Sequence, residues 1–167
     1  MGIVRQFTAC NRAAAAAELA LILPLLLVIL FGSFEAGAYL WTEQKVIKGV
    51  RDGARFAGRQ SFSLYTCDGV DSDLETQIKN LTRTGQLSSG TAKISGWSDD
   101  DVTVSVACQA PVADTYTAGG LYEKQPDGAI HVTVSATVPY PSFFATLGFD
   151  TKGAVVQASA NAAVMGS

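Results

Sequence analysis

The chain has 167 residues, of which 48% are hydrophobic and 16% are charged, and its formal net charge is -3. This length is typical of one ordinary domain with an appendage, and it excludes a large multidomain enzyme. The apolar content excludes a disordered chain, and the negative charge excludes nucleic-acid binding through a broad basic surface.

The apolar residues are concentrated near the N-terminus. No residue from Leu19 to Phe34 is charged, and the apolar run continues past Glu35 to Trp41. A helix from Leu19 to Tyr39 would rise about 30 Å, which matches the hydrocarbon thickness of a bilayer. Tyr39 and Trp41 would lie at its far end, where amphipathic rings favour the membrane–water boundary.

The residues on either side of this run predict its orientation. Residues 1–12 carry Arg5 and Arg12 and no acidic residue, which keeps the N-terminus in the cytoplasm. A secretory signal would have a shorter apolar stretch followed by a cleavage loop, whereas this run continues in helix-forming residues. A buried core helix seldom runs this long without a polar face. We therefore expect a single membrane span.

The pattern after the span predicts that the same helix continues as an amphipathic segment from Trp41 to about Gly58. Its apolar residues recur at helical spacing, at Val46, Val50, Ala54 and Ala57. Gly49 and Gly53 weaken this stretch, because glycine has a low helix propensity.

The remaining residues predict a short helix and then strands. Asp71, Asp73 and Glu75 are typical of a helix start, and one apolar face follows at Leu74, Ile78 and Leu81. Strict alternation predicts strands at 102–106 and at 130–135, the second before Val138, and looser alternation predicts one at 154–164. Residues 99–101 and 125–128 have turn chemistry before the first two strands, and residues 143–147 predict a short apolar turn or helix.

These elements indicate an α+β fold, in which a long N-terminal helix packs on a small antiparallel sheet domain. We expect four segments: a cytoplasmic leader at 1–13, a transmembrane helix at 14–41, its amphipathic continuation at 42–60 and an exported α+β domain at 61–167. Strand order does not follow from the pattern.

Two of the three cysteines lie beyond the span. Cys67 and Cys108 would form a disulfide in an oxidising compartment, whereas Cys10 lies in the leader. The pair could instead be two small buried apolar residues. A redox pair is the weakest interpretation, because the C-x-x-C spacing is missing and no lysine or histidine lies nearby in sequence.

The sequence lacks the motifs of an enzyme. It contains no P-loop, no G-x-S-x-G, no H-E-x-x-H and no cysteine–histidine cluster. Its one histidine, His131, has the strand position of a solvated side chain. The acidic stretch 68–75 lacks the glycine and the terminal glutamate of a calcium loop. We therefore expect no catalytic activity, no cofactor and no metal.

One carboxylate lies at the cytoplasmic end of the apolar helix. Glu18 follows an alanine run from Ala13 to Ala17, and a charge there is costly to carry inward. If the chain were cut between Ala13 and Ala14, the new amine would lie four residues from Glu18. The carboxylate could then pair with its own or a neighbouring N-terminal ammonium. Alternatively, Glu18 only marks the membrane boundary.

A basic leader, a small residue, a glutamate and an apolar helix together resemble the class III signal of type IV pilin-like proteins. More narrowly, AAAAAELALILPLLLVILFGSFEAG followed by VRDGARFAG is similar to the TadE-like minor pilins (pseudopilins) of the tight-adherence, Flp-type pilus system. The resemblance covers roughly Arg12 to Arg59 and returns weakly in the later strands. Ala13 stands where the family usually has glycine, and Leu19 where it often has an aromatic residue.

This resemblance implies that a prepilin peptidase cleaves the bond between Ala13 and Ala14, and that Glu18 is the pilin-type glutamate. It also implies other pilins and the assembly platform as partners, together with membrane lipid. The expected location is the bacterial inner membrane, with the C-terminal domain periplasmic or extracellular and incorporation into a pilus as a further step. The alternative is an uncleaved, membrane-anchored binding module of the adhesin type.

Further residues of the span are candidates for helix packing. Pro24 removes one helix hydrogen bond and frees the carbonyl of Ala20. Small residues four apart let helices approach closely in lipid, unless the spacing arises by chance. Glu35 lies near the outer boundary, where it could snorkel to water or bond to another subunit. The small pairs are Gly32 with Ala36 and Ser33 with Gly37.

Overall fold

A computed structural model describes residues 11–109, 122, 128–146, 148 and 153–166. The chain divides into two units, Met1–Ala38 and Tyr39–Ser167. The described residues form a long helix, two short helices and two antiparallel sheets, which confirms the predicted α+β class. The leader upstream of residue 11 and most of the predicted 125–128 turn lie outside the described residues.

Helix α1 extends over Asn11–Ala57 without a break. This confirms that the apolar run and the amphipathic stretch form one helix. The predicted stripe is buried, with Val46, Val50 and Ala57 at 0% exposure and Ala54 at 2%.

Helix α2 extends over Ser72–Thr84 and begins as its acidic residues predict. The Asp71 carboxylate accepts hydrogen bonds from the backbone N–H groups of Asp73 and Leu74, at 3.0 and 3.3 Å. Gly85 ends the helix in a left-handed conformation with φ of 84°. Leu74 and Ile78 are buried as expected, and Thr82 is buried more fully than Leu81.

Residues 58–71 connect the two helices and contain short regular elements. A 3₁₀ turn at Phe62–Leu64 leads into β1 (Tyr65–Thr66), which pairs with β2 (Gly69–Val70) as a small antiparallel ladder. The Tyr65 hydroxyl donates a hydrogen bond of 2.6 Å to the carbonyl oxygen of Ala57. This bond joins the connection to the end of α1.

The main sheet has three antiparallel strands in the order β3-β4-β5. They are β3 (Val102–Gln109), β4 (Ala129–Pro139) and β5 (Val155–Ala163), which confirms the three strands read from alternation. Alternate residues of β4 are buried and form one core with the α1 stripe; they are Ile130, Val132, Val134, Ala136 and Val138. The opposite face carries no Asp, Glu, Lys or Arg where the strands pair, and its central residues are Thr103, Ser105, Thr133, Ser135, Ser159 and Asn161.

Two further segments complete this unit. The predicted apolar turn forms the short helix α3 (Phe143–Thr146) after β4. After β5 the chain returns to the end of α1, where the Met165 N–H donates a hydrogen bond of 2.8 Å to the carbonyl oxygen of Gly58. Val164 is fully buried at this junction.

Candidate membrane-spanning and assembly segment

The first part of α1 presents an apolar surface on all sides. From Ala14 to Trp41 every side chain is exposed except that of Glu35, which is partly buried. Leu21 is 81% exposed and Val28 is 71% exposed. A core helix of a soluble protein would be mostly covered by its own chain, whereas the most apolar window of α1 is 0% buried. This one N-terminal helix fits a single-pass membrane protein.

The expected cleavage bond lies inside α1. Ala13 and Ala14 are the third and fourth residues of the helix, which begins at Asn11. Glu18 is exposed and lies seven residues after Asn11, so the first turn of this uncut helix holds no acidic residue. The helix dipole favours carboxylates mainly within that first turn.

Two glycines leave gaps in the side-chain surface of the span. A Cβ atom placed at Gly32 or Gly37 would meet nothing within 4 Å. Ala36 lies one turn after Gly32, and Ser33 lies one turn before Gly37. The Ser33 hydroxyl donates a hydrogen bond of 2.7 Å to the carbonyl of Ile29, which satisfies its polar atom within the helix. The side chains on this part of the helix are therefore small, as close helix packing in lipid requires.

The other two candidates in the span are Pro24 and Glu35. Pro24 lies inside α1, and the helix continues through it. A proline has no N–H to donate, so one carbonyl of the preceding turn must find another partner. A carboxylate such as that of Glu35 is costly in hydrocarbon, which restricts it to an interface or a protein contact.

Residues 39–167 contain no recognisable reaction centre in their described parts. Among the described residues no group of three or more His, Cys, Asp or Glu side chains could hold a metal ion. His131 lies on the polar face of β4 and is partly exposed. Asp99, in the acidic turn before β3, forms an ion pair with Arg83.

A disulfide joins Cys67 and Cys108, with a Cα–Cα distance of 5.4 Å. It connects the turn between β1 and β2 to strand β3. A bonded pair is neither a pair of free buried thiols nor a metal ligand set. Its place between two secondary-structure elements gives it a stabilising role.

The perturbed titratable groups of this unit are explained by burial. Burial raises the pKa of Tyr65 to about 12. Burial also raises the pKa of Tyr122. It lowers the pKa of Lys93, which the Asp52 charge raises and the Lys48 charge lowers to a smaller extent. Desolvation is the largest cause of each shift, so the shifts reflect packing.

One aromatic contact has no counterpart in the sequence patterns. The rings of Tyr39 and Tyr140 meet edge to face, with centroids 5.2 Å apart. The Lys45 ammonium lies 5.5 Å from the centroid of the Trp41 ring. The run of prolines and aromatic residues after β4 was the available signal, because aromatic residues outside a strand often mark a contact surface.

The comparison with protein families gives one finding. The family described as TadE-like protein matches residues 13–55, which confirms the resemblance seen in the sequence. The match begins at the expected cleavage site and covers most of α1. No curated protein and no solved structure matches the chain.

Proposed function

We propose that this chain, TadE-like over residues 13–55, is a minor pilin (pseudopilin) of a Tad/Flp-type adhesive pilus. It acts as a membrane-anchored structural component and is not an enzyme. The observation that carries the proposal is the continuous exposed surface of α1 from Ala14 to Trp41, which coincides with the family match. The partners are the prepilin peptidase, other pilins, the assembly platform and membrane lipid.

The proposed mechanism is lateral packing of α1 against the same helix of other subunits. Cleavage between Ala13 and Ala14 removes the arginines of the leader and creates an N-terminal ammonium. The ammonium and the Glu18 carboxylate then neutralise each other within one subunit or between neighbours. A buried charge with a partner costs far less than an unpaired one, so Glu18 favours bundles in correct register.

The same processing defines the proposed location. The uncut chain crosses the inner membrane once, with residues 1–13 in the cytoplasm and the unit after the span on the exported side. Gly32, Ala36 and Gly37 then allow close approach of neighbouring helices, and Glu35 lies near the outer boundary. Subunits enter the filament or its assembly platform from this membrane-bound pool.

Substitution of Glu18 tests the proposed role of its charge. In Glu18→Gln, and more severely in Glu18→Ala, we expect the protein to accumulate and to form its disulfide while piliation is lost. Glu43→Gln removes a carboxylate from the amphipathic part of the same helix and is the matched control for a nonspecific effect of charge. Electron microscopy of surface pili is the measurement, and normal piliation in Glu18→Ala contradicts the mechanism.

Mass spectrometry of the membrane-extracted protein tests processing. A mature N-terminus at Ala14 supports the pilin-like protein. An intact N-terminus at Met1 supports the alternative, an uncleaved adhesin-like module. Ala13→Gly should be cleaved, because it keeps the residue before the bond small, whereas Ala13→Arg should block cleavage. Cleavage of Ala13→Arg at the same bond would contradict the assigned site.

A further inference from the structure

The unit that begins at Tyr39 carries a group of aromatic residues after β4, one of which contacts Tyr39 itself. Its starting point is the Tyr39–Tyr140 ring contact, with a centroid distance of 5.2 Å. Tyr140 directly follows β4, and helix α3 begins three residues later at Phe143. The contact places Tyr140 beside Tyr39, and we name residues 139–146 the aromatic loop.

The aromatic loop exposes a phenylalanine ring next to a buried serine. Ser142 is 4% exposed, whereas its neighbour Phe143 is 44% exposed. The rings of Phe143 and Phe144 lie 6.4 Å apart, and Phe144 is partly buried. An exposed phenylalanine ring is stabilised where it meets an apolar phase.

The adjacent turn of α1 has the chemistry of a membrane boundary. Leu40 is 56% exposed and Trp41 is 67% exposed. The Lys45 ammonium lies 5.5 Å from the Trp41 ring centroid, one turn further along the helix. Rings with a polar edge and a lysine with a long apolar stem are the side chains that favour the headgroup region.

We propose that the aromatic loop is a second membrane contact, in which Phe143 inserts into the bilayer surface on the exported side. The inference rests on the proposed membrane anchoring by α1. Lipid is the occupant because the loop contacts Tyr39, which lies near the end of the exposed stretch Ala14–Trp41 of a helix long and apolar enough to span a bilayer.

Spin labels in the full-length protein test this contact. The protein carries Cys10→Ser, keeps the Cys67–Cys108 disulfide, and is reconstituted into vesicles of phosphatidylethanolamine and phosphatidylglycerol. Single labels are placed at Phe143→Cys and, with Phe143 intact, at Ala145→Cys, whose native side chain is also exposed. Leu87→Cys is the matched control, because Leu87 is an apolar residue of the same unit with 48% exposure.

The measurement is the ratio of collisions with oxygen, which concentrates in lipid, to collisions with a water-soluble nickel chelate. We expect this ratio to be several-fold higher at position 143 or 145 than at position 87. Equal, water-like ratios at all three positions overturn the inference.

A label at Leu27→Cys separates this inference from the proposed anchoring. Lipid-like values at position 27 with water-like values at 143 and 145 mean that α1 spans the bilayer and the aromatic loop faces water or another protein. Water-like values at position 27 overturn both the anchoring and the loop contact. Lipid-like values at 27 and in the loop, with water-like values at 87, support both.

Discussion

Gly49 of α1 lies so close to Thr82 of α2 that a Cβ atom at position 49 would overlap the Thr82 carbonyl oxygen. One turn later, a Cβ at Gly53 would overlap the Thr82 hydroxyl. The hydroxyl itself donates a hydrogen bond of 2.8 Å to the carbonyl of Ile78. The two glycines thus allow the backbones of α1 and α2 to approach, and their low helix propensity is the cost of that approach.

Gly49→Ala tests this close contact. An exposed helical glycine gains up to about 1 kcal/mol on replacement by alanine, whereas overpacking against backbone costs about 1–3 kcal/mol. The overlap with the Thr82 carbonyl should dominate, so the free energy of unfolding should fall. Thermal unfolding in detergent measures it, with Gly69→Ala as the control because a Cβ there meets nothing within 4 Å. Unchanged or raised stability of Gly49→Ala contradicts the contact.

The disulfide should make a large contribution to stability. Cys67 and Cys108 are 41 residues apart, and closing such a loop in the unfolded chain is worth about 4 kcal/mol in the chain-entropy model. The double variant Cys67→Ser, Cys108→Ser should therefore unfold at a lower temperature, while Cys10→Ser should not. Non-reducing digestion of exported protein should yield one linked peptide pair. Free thiols at both positions would refute the disulfide.

Tyr65 predicts a loss of stability in alkaline solution. Its phenol ionises near pH 10 when unfolded, and burial raises the pKa to about 12 in the folded protein. The unfolded chain therefore loses this proton first as the pH rises. The associated stability is complete below pH 10 and is lost between about pH 10 and 12.

Tyr65→Phe should flatten this part of the pH–stability curve. It also removes the hydrogen bond to Ala57, which costs about 1 kcal/mol at neutral pH. Some alkaline dependence should persist, because burial raises the pKa of Tyr122 as well. Chemical unfolding from pH 8 to 12 is the measurement, and a curve identical to that of the parent protein would exclude Tyr65 as the source.

Arg83 joins α2 to the turn before β3. Its guanidinium donates a hydrogen bond of 3.1 Å to the carbonyl oxygen of Trp97 and forms an ion pair with Asp99. Arg83→Ala should lower the free energy of unfolding by about 1.5–3 kcal/mol, the range for hydrogen bonds to charged groups. Lys79→Ala is the control, since an exposed pair such as Lys79–Glu75 contributes at most about 0.5 kcal/mol. Equal losses in the two variants would contradict the linking role of Arg83.

The sequence alone predicted the elements whose signal is local. The uninterrupted apolar run and the stripe of Val46, Val50 and Ala54 predicted α1, because a helix repeats every 3.6 residues wherever it packs. Alternation predicted β3 and β4 for the corresponding reason, whereas the cleavage site at Ala13 and the role of Glu18 stay predictions. Each of these signals is contained in a few consecutive turns or strand residues.

Only the tertiary structure decided which of these elements meet. From the sequence, Gly49 and Gly53 only lower the stability of α1. The structure shows what they allow, which is the close approach of Thr82 on another helix. The β3-β4-β5 order and the Tyr39–Tyr140 contact likewise join residues far apart in the chain. A local pattern shows which face an element buries, but several arrangements can bury the same face. Steric fit between distant segments selects one of them, and that selection depends on all the packed surfaces together.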